Sequence, residues 1–482
     1  MSSNDLQAII LAAGKSSRFK TEKSKLAEKI CGQEMILYVT KFLENLKIPT
    51  TAVVGYQREL IKKIIKKHHN NSISFIVQEK QEGTGHAILC AKEAFTHNNI
   101  LIINGDTPLV PENVIEQLYK KHIETDATIS LVIAHNSDPA TGAYGRLIQN
   151  EEYTEIVEAK DFNGDIEECC FINAGIYIVK RKFLEEYINK LTTNNSGNEF
   201  YITDLVKMAS KNGYTLNTVA APFDRVRGIN TFRELWIAEQ IKRSDIIRYW
   251  MERGVRFSLA QSVHIDWDVT IGAGTAIECS VHIHNGTRIG KNCVVSGFSS
   301  FYNAIVDDNT TIYPHSIIQN CRIGKNAKIG PFAYLHENSS VGDNTVIGNF
   351  VEIRKTSIGN DSMAKHHTYL AHAKIGDNVK IGAGTITCNF DGKESQETII
   401  EDNALIGYNN SLVAPVKVGK NAATVAGSTI TQNVPENALA IGRPGQINEL
   451  NYCQQYTNVR SSGLEISSTI IPDPNKNNET AP

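Results

Sequence analysis

The residues best equipped for chemistry lie near the start of the chain, in Leu11-Ala12-Ala13-Gly14-Lys15-Ser16-Ser17-Arg18, with Lys25 a few positions beyond. Small residues let backbone N–H groups approach a ligand and the cations supply charge, a combination suited to the phosphates of a nucleoside triphosphate. A tight strand-to-helix turn without a ligand is the plain alternative. Asp106 stands in Asn104-Gly105-Asp106-Thr107-Pro108-Leu109, directly after the apolar run 100–103. That puts a carboxylate at the C-terminal end of a strand, where open α/β sheets bind ligands. It suits Mg²⁺, which takes one or two protein oxygens and completes its shell with water and phosphate. Asp in such a sequence is also an ordinary turn former. Far downstream, His366 sits in Asn360-Asp361-Ser362-Met363-Ala364-Lys365-His366-His367-Thr368-Tyr369. Imidazole titrates near neutrality, as a general base should; a solvated histidine is the alternative.

Two commoner glycine-rich fingerprints do not fit the opening stretch. The first Gly of a G-x-x-x-x-G-K-[ST] loop would fall at Ile9, and Ser16 stands where the second Gly of a dinucleotide fingerprint belongs. Further polar clusters each follow an apolar run: Gln78-Glu79 with Gly83-Thr84-Gly85-His86, Tyr144-Gly145-Arg146, Val157-Glu158-Ala159-Lys160, Asn173-Ala174-Gly175, Tyr201-Ile202-Thr203-Asp204 and Gly228-Ile229-Asn230.

Two kinds of scaffold must position these groups. Residues 1–228 alternate short apolar runs with helical patterns, which predicts a parallel sheet with helices on its faces. Strands are expected at 8–11, 51–54, 74–77, 100–103, 129–134 and 176–179, and helices at 35–45, 85–94 and 111–122. Residues 229–254 read as a linker helix, with Phe232, Leu235, Ala238, Ile241 and Ile246 at near-helical intervals and Gly254 as its stop. Beyond it the period becomes six. Ile265, Ile271, Ile277, Ile283, Ile289 and Val295 form one such series, and Ile323, Ile329, Leu335, Val341, Ile347 and Ile353 another. Neither an amphipathic helix nor an ordinary strand has that period; hexapeptide repeats build parallel β-helices whose aliphatic side chains stack inward. The register breaks after Ile358, so residues 360–369 are expected to form an excursion from the coil, carrying His366. The β-helix is expected over 255–450 and a disordered tail over 451–482, which has no period and no core-forming composition.

The 482 residues carry a formal net charge of −3, which gives no reason to expect a nucleic-acid partner. No stretch approaches the roughly 20 apolar residues of a membrane span. Residues 1–7 lack the features of a signal peptide, so a cytoplasmic location is expected. The cysteines, Cys31, Cys90, Cys169, Cys170, Cys279, Cys293, Cys321, Cys388 and Cys453, are odd in number and scattered. They read as reduced and mostly structural.

The opening stretch resembles the sugar-nucleotidyltransferase loop L-A-A-G-x-[GS]-[ST]-R followed by a Lys. Up to about Gln446, nearly the whole chain resembles the bacterial bifunctional N-acetylglucosamine-1-phosphate uridyltransferases and glucosamine-1-phosphate acetyltransferases. The resemblance implies an α/β nucleotidyltransferase with a Rossmann-like mixed sheet, followed by a left-handed parallel β-helix of about nine coils. It also implies a homotrimer with acetyl-CoA sites between chains. UMP would pass from UTP to N-acetylglucosamine-1-phosphate, and acetyl-CoA would acetylate glucosamine-1-phosphate. Leu11, Ala12, Ala13, Gly14, Gln78, Gly83 and Thr84 would hold uracil and ribose, and Lys25 and Arg18 would face the phosphates. Asp106 and Asn230 would bind Mg²⁺, while Gly145, Glu158 and Asn173 would contact the amino sugar. His366 would take the proton of the attacking amine. Arg354, Tyr369, Ala383, Asn389, Phe390, Ala426 and Arg443 match positions for acetyl-CoA or its acceptor.

The chain departs from the family pattern. In the first site Ser16 replaces Gly, Ser24 replaces Pro and Asn104 replaces Tyr. In the second, His336 and Ser395 stand for an Arg and a Lys, Arg354 for a Lys, Lys380 for an Asn and Tyr408 for a small Ser. Two cations lost from a phosphate site remove charge-assisted bonds of roughly 1.5–3 kcal/mol each. Uridyl transfer alone, with the β-helix serving for trimerisation, is therefore an alternative. A relative acting on another sugar phosphate, as in the ADP-glucose-forming enzymes, has the same layout. So does a non-enzymatic subunit like those of the translation-initiation exchange factor, against which Lys25 and Asp106 argue.

Overall fold

The computed structural model describes residues 5–69, 72–135, 144–164, 169 and 171–450. The expected tail 451–482, Cys170, Cys453 and residues 1–4 of the opening segment lie outside the described residues.

Nine strands form the first sheet: β1 (Leu6–Ala12), β2 (Thr50–Val54), β3 (Ile73–Val77), β4 (Asn99–Asn104), β5 (Ile129–His135), β6 (Arg146–Gln149), β7 (Thr154–Val157), β8 (Phe171–Lys180) and β9 (Leu216–Ala221). Their order is β9-β5-β8-β4-β1-β2-β3, with the β6–β7 hairpin attached to β8. β1 lies parallel to β2 and β4. β8 runs antiparallel to both of its neighbours, β4 and β5. The sheet is thus mixed rather than parallel throughout, and the strand expected at 176–179 is longer and reversed. A parallel neighbour needs a crossover helix, whereas β8 follows a hairpin. Helices α1 (Met35–Asn45), α2 (Arg58–His68), α3 (Thr84–Cys90), α4 (Glu112–Glu124), α5 (Arg181–Tyr187) and α6 (Asp204–Lys211) accompany the sheet. The helix expected over 85–94 is divided into α3 and a 3₁₀ turn at Lys92–Ala94. Along β1 and β4, Ile10, Leu101 and Ile103 enter one core, and Ile9, Ile100 and Ile102 the other. That is the alternation of a strand covered on both faces.

The linker helix is α7 (Phe232–Met251). Its start is fixed by a capping box: the Glu234 N–H donates to Thr231 Oγ1 at 3.2 Å, and Glu234 Oε2 accepts from the Asn230 N–H at 2.7 Å.

Beyond α7, short strands stack into a left-handed parallel β-helix. On one of its faces nine successive strands pair in order, from Thr270–Ile271 to Val416–Val418. Ile265, Ile283, Phe301, Ile318, Leu335, Ile353, Leu370 and Leu412 are buried in a single continuous core. Turns need a left-handed residue, which Asn tolerates better than most. Asn378, Asn403, Asn421 and Asn437 have φ between 53° and 61°. Their side-chain amides link coil to coil at 2.9–3.0 Å.

The expected excursion at 360–369 is not present. Met363–Ala371 is a nine-residue strand, paired in register with Val346–Arg354 one coil earlier. Ala364 and Leu370 continue the six-residue series from Ile358 into the core; a small Ala at an inward position concealed the repeat. The coil opens instead between Ile386–Cys388 and Thr398–Ile400. Cys31, Cys90, Cys279, Cys293, Cys321 and Cys388 are free thiols. Among the described residues no helix is long and apolar enough to cross a membrane.

Phe301 is fully buried between coils. Its replacement by Ala removes a large ring from a close-packed stack and should cost about 3–5 kcal/mol, seen as a lower urea midpoint by circular dichroism.

Candidate active site

A cavity of about 460 Å³ lies at the C-terminal ends of β1 and β4, with Leu11, Ala12, Ala13, Gly14, Lys25, Gln78, Gly83, Thr84 and Asp106 in its wall. Nine residues expected from distant parts of the sequence thus come together. A Cβ on Gly14 would meet nothing within 4 Å, so this backbone faces open space. Gly83 has φ +108, and a Cβ there would lie 2.6 Å from the Phe200 carbonyl oxygen. Ser16 adopts φ 56, the left-handed conformation that a Gly takes without strain. Its hydroxyl accepts from the Lys25 N–H at 3.2 Å, a bond no Gly could make.

Four functional groups converge beside this cavity. Lys25 Nζ pairs with Asp106 Oδ2 and donates to Asn230 Oδ1 at 2.7 Å. Arg18 donates to the same Asn230 oxygen at 2.8 Å. The Ile229 N–H donates to the Asp106 carbonyl at 2.9 Å and holds the Asn230 segment against the end of β4. Asp106 Oδ2 and Asn230 Oδ1 are hard oxygen donors aimed at one cationic position, a donor set that fits Mg²⁺. Ser17 of the opening stretch lines the cavity too, as do Gln81 and Glu199; these last two were not singled out from the sequence, because each lies in a polar run without a distinctive spacing.

A second cluster adjoins the first. The Asn173 N–H donates to the Gly145 carbonyl at 2.9 Å, and Asn173 Oδ1 accepts from the Gly175 N–H at 3.0 Å, where the pairing of β8 with β5 shifts register. Thr203 Oγ1 donates to Glu158 Oε1 at 2.9 Å. Burial holds the Glu158 carboxyl above its ordinary range, the Thr203 bond opposing it in part. Tyr144 joins the two clusters, its hydroxyl accepting from the Gly228 N–H at 2.8 Å.

In the β-helix, His366 lies on a strand and not on a loop. Its Nδ1 faces Asn349 Oδ1 in the register partner one coil earlier. With that oxygen accepting, Nδ1 carries the proton and Nε2 presents its lone pair. Asn349 was not expected from the sequence; its signal is its position one coil before His366. The same corner continues upward. The Gly384 N–H donates to the His367 carbonyl at 2.9 Å, that of Asn409 to Ala383 at 2.8 Å and that of Gly427 to Tyr408 at 2.7 Å. His366, Ala383, Tyr408 and Ala426 therefore follow one another, one per coil. Arg443 approaches this line near Gly427, where a Cβ would lie 3.8 Å from Arg443 Cδ. The remaining expected residues lie elsewhere in this chain. Asn389 and Phe390 begin the segment where the coil opens, and Phe390 bridges to Ser395. Arg354 pairs with Glu337 at 3.0 Å, and His336 with Glu352 at 3.1 Å.

The mixed sheet with its cavity-lining loop of small residues, joined to a hexapeptide β-helix, defines a nucleotidyltransferase linked to a hexapeptide-repeat transferase. Residues 8–164 match the MobA-like NTP transferase domain, 320–355 the bacterial transferase hexapeptide (six repeats) and 397–432 the hexapeptide repeat of succinyl-transferase. The bifunctional protein GlmU of Thermosipho melanesiensis is 40% identical over 449 residues, covering 93% of this chain and 97% of that one. That of Exiguobacterium sibiricum is 37% identical over 451 residues, covering 92% and 99%. The solved structure of a UDP-glucose pyrophosphorylase complexed with UDP-glucose aligns with a TM-score of 0.40 and 19% identity, over 50% of this chain and 99% of that one. The chain belongs to the bifunctional GlmU family of enzymes.

The raised Glu158 carboxyl sets a pH dependence of stability. The folded state holds this proton more tightly than the unfolded chain, whose value is near 4.5. Stability from this group therefore falls as pH rises from the unfolded value through the raised one. Glu158→Gln keeps the acceptor for Thr203 and removes the charge. Its melting temperature should gain on the parent between pH 4.5 and 7, as read by differential scanning calorimetry at both pH values.

Proposed function

We propose that the chain transfers UMP from UTP to N-acetylglucosamine-1-phosphate, giving UDP-N-acetylglucosamine and pyrophosphate, and acetylates glucosamine-1-phosphate with acetyl-CoA. The observation that carries this reading is the convergence of Lys25, Arg18, Asp106 and Asn230 beside the cavity. Uracil and ribose lie against Leu11, Ala12, Ala13, Gly14, Gln78, Gly83 and Thr84, and the amino sugar against Gly145, Glu158 and Asn173. An oxygen of the sugar phosphate attacks the α-phosphorus in line, and the bond to pyrophosphate breaks. Lys25 and Arg18 stabilise the charge that develops on the leaving group. Mg²⁺, held by Asp106 and Asn230, supplies Lewis-acid stabilisation when bound. Residues 1–228 are assigned this activity, 229–254 the link and 255–450 the second transfer. The nucleotide and thioester substrates are those of the cytoplasm.

In the second transfer, His366 Nε2 removes the proton of the glucosamine amine as its nitrogen attacks the thioester carbonyl; the C–S bond then breaks and the coenzyme leaves as its thiolate. The Asn349 contact supports this role, since it directs the Nδ1 proton away from the substrate side. Ala383 and Ala426 leave room along the same corner for acetyl-CoA, with Asn389, Phe390 and Arg443 beyond them. Arg354 and Tyr369 face the acceptor. A homotrimer is supported by a stack of outward rings, Phe298, His315, Phe332, Phe350 and His367, with centroids 4.9–5.1 Å apart. Phe298, Phe332 and Phe350 are each about half exposed in the single chain and are suited to cover by further copies. The stack ends at His367, beside His366. Uridyl transfer alone is favoured by one observation: His336 and Arg354 are already paired with Glu352 and Glu337, which reduces their charge toward an acceptor phosphate.

One preparation assayed for both products separates the readings; no thiol release above background with acetyl-CoA and glucosamine-1-phosphate leaves uridyl transfer alone. Lys25→Ala should lower pyrophosphate formation about 10²–10³-fold and leave thiol release unchanged, while His366→Ala should do the reverse. Gly348→Ala tests the strand beneath His366. The new Cβ would stand 1.9 Å from the Lys365 carbonyl oxygen, so the strand must shift, and thiol release should fall with pyrophosphate formation intact.

A further inference from the structure

At the start of the β-helix, His264 and Asp266 are two residues apart, as are His282 and His284 one coil later. Residues two apart on a strand face the same side. His264 pairs in register with His282, and the Asp266 N–H continues the ladder by donating to the Ile283 carbonyl at 2.9 Å. The four side chains therefore share the outer face of two adjacent coils, and three of them converge. Asp266 Oδ1 faces His264 Nε2 at 3.2 Å, and Oδ2 faces His284 Nδ1 at 3.2 Å. The ligand atoms of His264, Asp266 and His284 all lie within 4.8 Å of one another. In a tetrahedral zinc centre, with bonds of about 2.0–2.1 Å, ligand atoms stand about 3.3 Å apart. Each nitrogen already stands near that distance from one of the two carboxylate oxygens.

The surroundings hold this arrangement in place. Asp266 is 4% exposed and also accepts from the Asn285 N–H at 3.2 Å. The Tyr302 ring stacks on His284 with centroids 5.0 Å apart. The Cys31-Gly32 turn of the nucleotidyltransferase half covers the carboxylate: the Trp267 N–H donates to the Cys31 carbonyl at 3.0 Å. Gly32, at φ +81, stands where a Cβ would fall 2.5 Å from Asp266 Cγ. The side chains of His264 and His284 are 21% and 20% exposed, which leaves a path for an ion.

We propose that His264 Nε2, His284 Nδ1 and one Asp266 oxygen bind Zn²⁺, with water as the fourth ligand, and that the ion fastens the first two coils beneath the Cys31-Gly32 turn. Two imidazoles and a carboxylate favour zinc over Mg²⁺, whose preferred donors are all oxygen. Each ring binds through the nitrogen that now faces Asp266 and carries its proton on the other, a tautomer change without net charge. Neither transfer reaction uses these residues, so the site is separate from both.

The test uses the full chain without a polyhistidine tag, stripped with a chelator and equilibrated in excess Mg²⁺ to occupy oxygen-donor sites. Added Co²⁺ should bind one per chain with the visible absorption of tetrahedral coordination, and Zn²⁺ should displace it. His264→Ala and His284→Ala, both at partly exposed rings, should lose the band while keeping the native circular dichroism spectrum. Zn²⁺ should raise the melting temperature of the native chain but not of either variant. No band in the native chain, or an undiminished band in both variants, would overturn the proposal.

Discussion

The pairing of Lys25 with Asp106 is the constraint on which the catalytic half depends. Both side chains are largely withdrawn from water, at 14% and 16% exposure. A charge so placed is costly unless an opposite charge and hydrogen bonds accompany it. Meeting that requirement draws together three segments far apart in sequence: the loop after β1, the end of β4 and the residues that precede α7. Asn230 accepts from both Lys25 and Arg18, and its own N–H donates to Glu234 inside the capping box of α7. The cation cluster and the start of the helix that leads to the second half are thus one hydrogen-bonded unit. A substitution at any of these positions disturbs the cation cluster and the start of α7 together.

The β-helix obeys a different rule. Each coil meets only the coils directly before and after it, so stability accumulates step by step along the stack. Inward aliphatics supply most of it, and the left-handed asparagines close the corners while their amides join coil to coil. The long paired strands Val346–Arg354 and Met363–Ala371 are exceptions to the short-strand pattern. They run through a corner without a break, and His366 is carried there.

Much of this was legible in the residues. The six-residue period required a β-helix, and Gly14, Lys25 and Asp106, read as parts of one site because small residues, cations and a carboxylate at strand ends have few other uses, do line one cavity. The direction of β8 was not legible, since parallel and antiparallel strands covered on both faces carry the same apolar run. The strand under His366 was misread because Ala364 fills an inward position without counting as a large aliphatic. Asn349 escaped because a contact between coils is invisible until the coil length is known; given that length, it is the residue directly opposite His366.

The stacking of His366, Ala383, Tyr408 and Ala426 along one corner makes the step from coil to coil a ruler. The spacing between groups on this line is set by backbone pairing, not by side-chain reach. Exchanging a side chain therefore alters one mark on the ruler, as Tyr408 does. Residues added at a corner do not slide the later marks: the segment between Cys388 and Thr398 leaves the coil, and Ile406 still pairs in register with Ile381. In this half of the molecule an insertion can therefore leave the coil at a corner without disturbing the line, whereas a substitution on the line changes it directly.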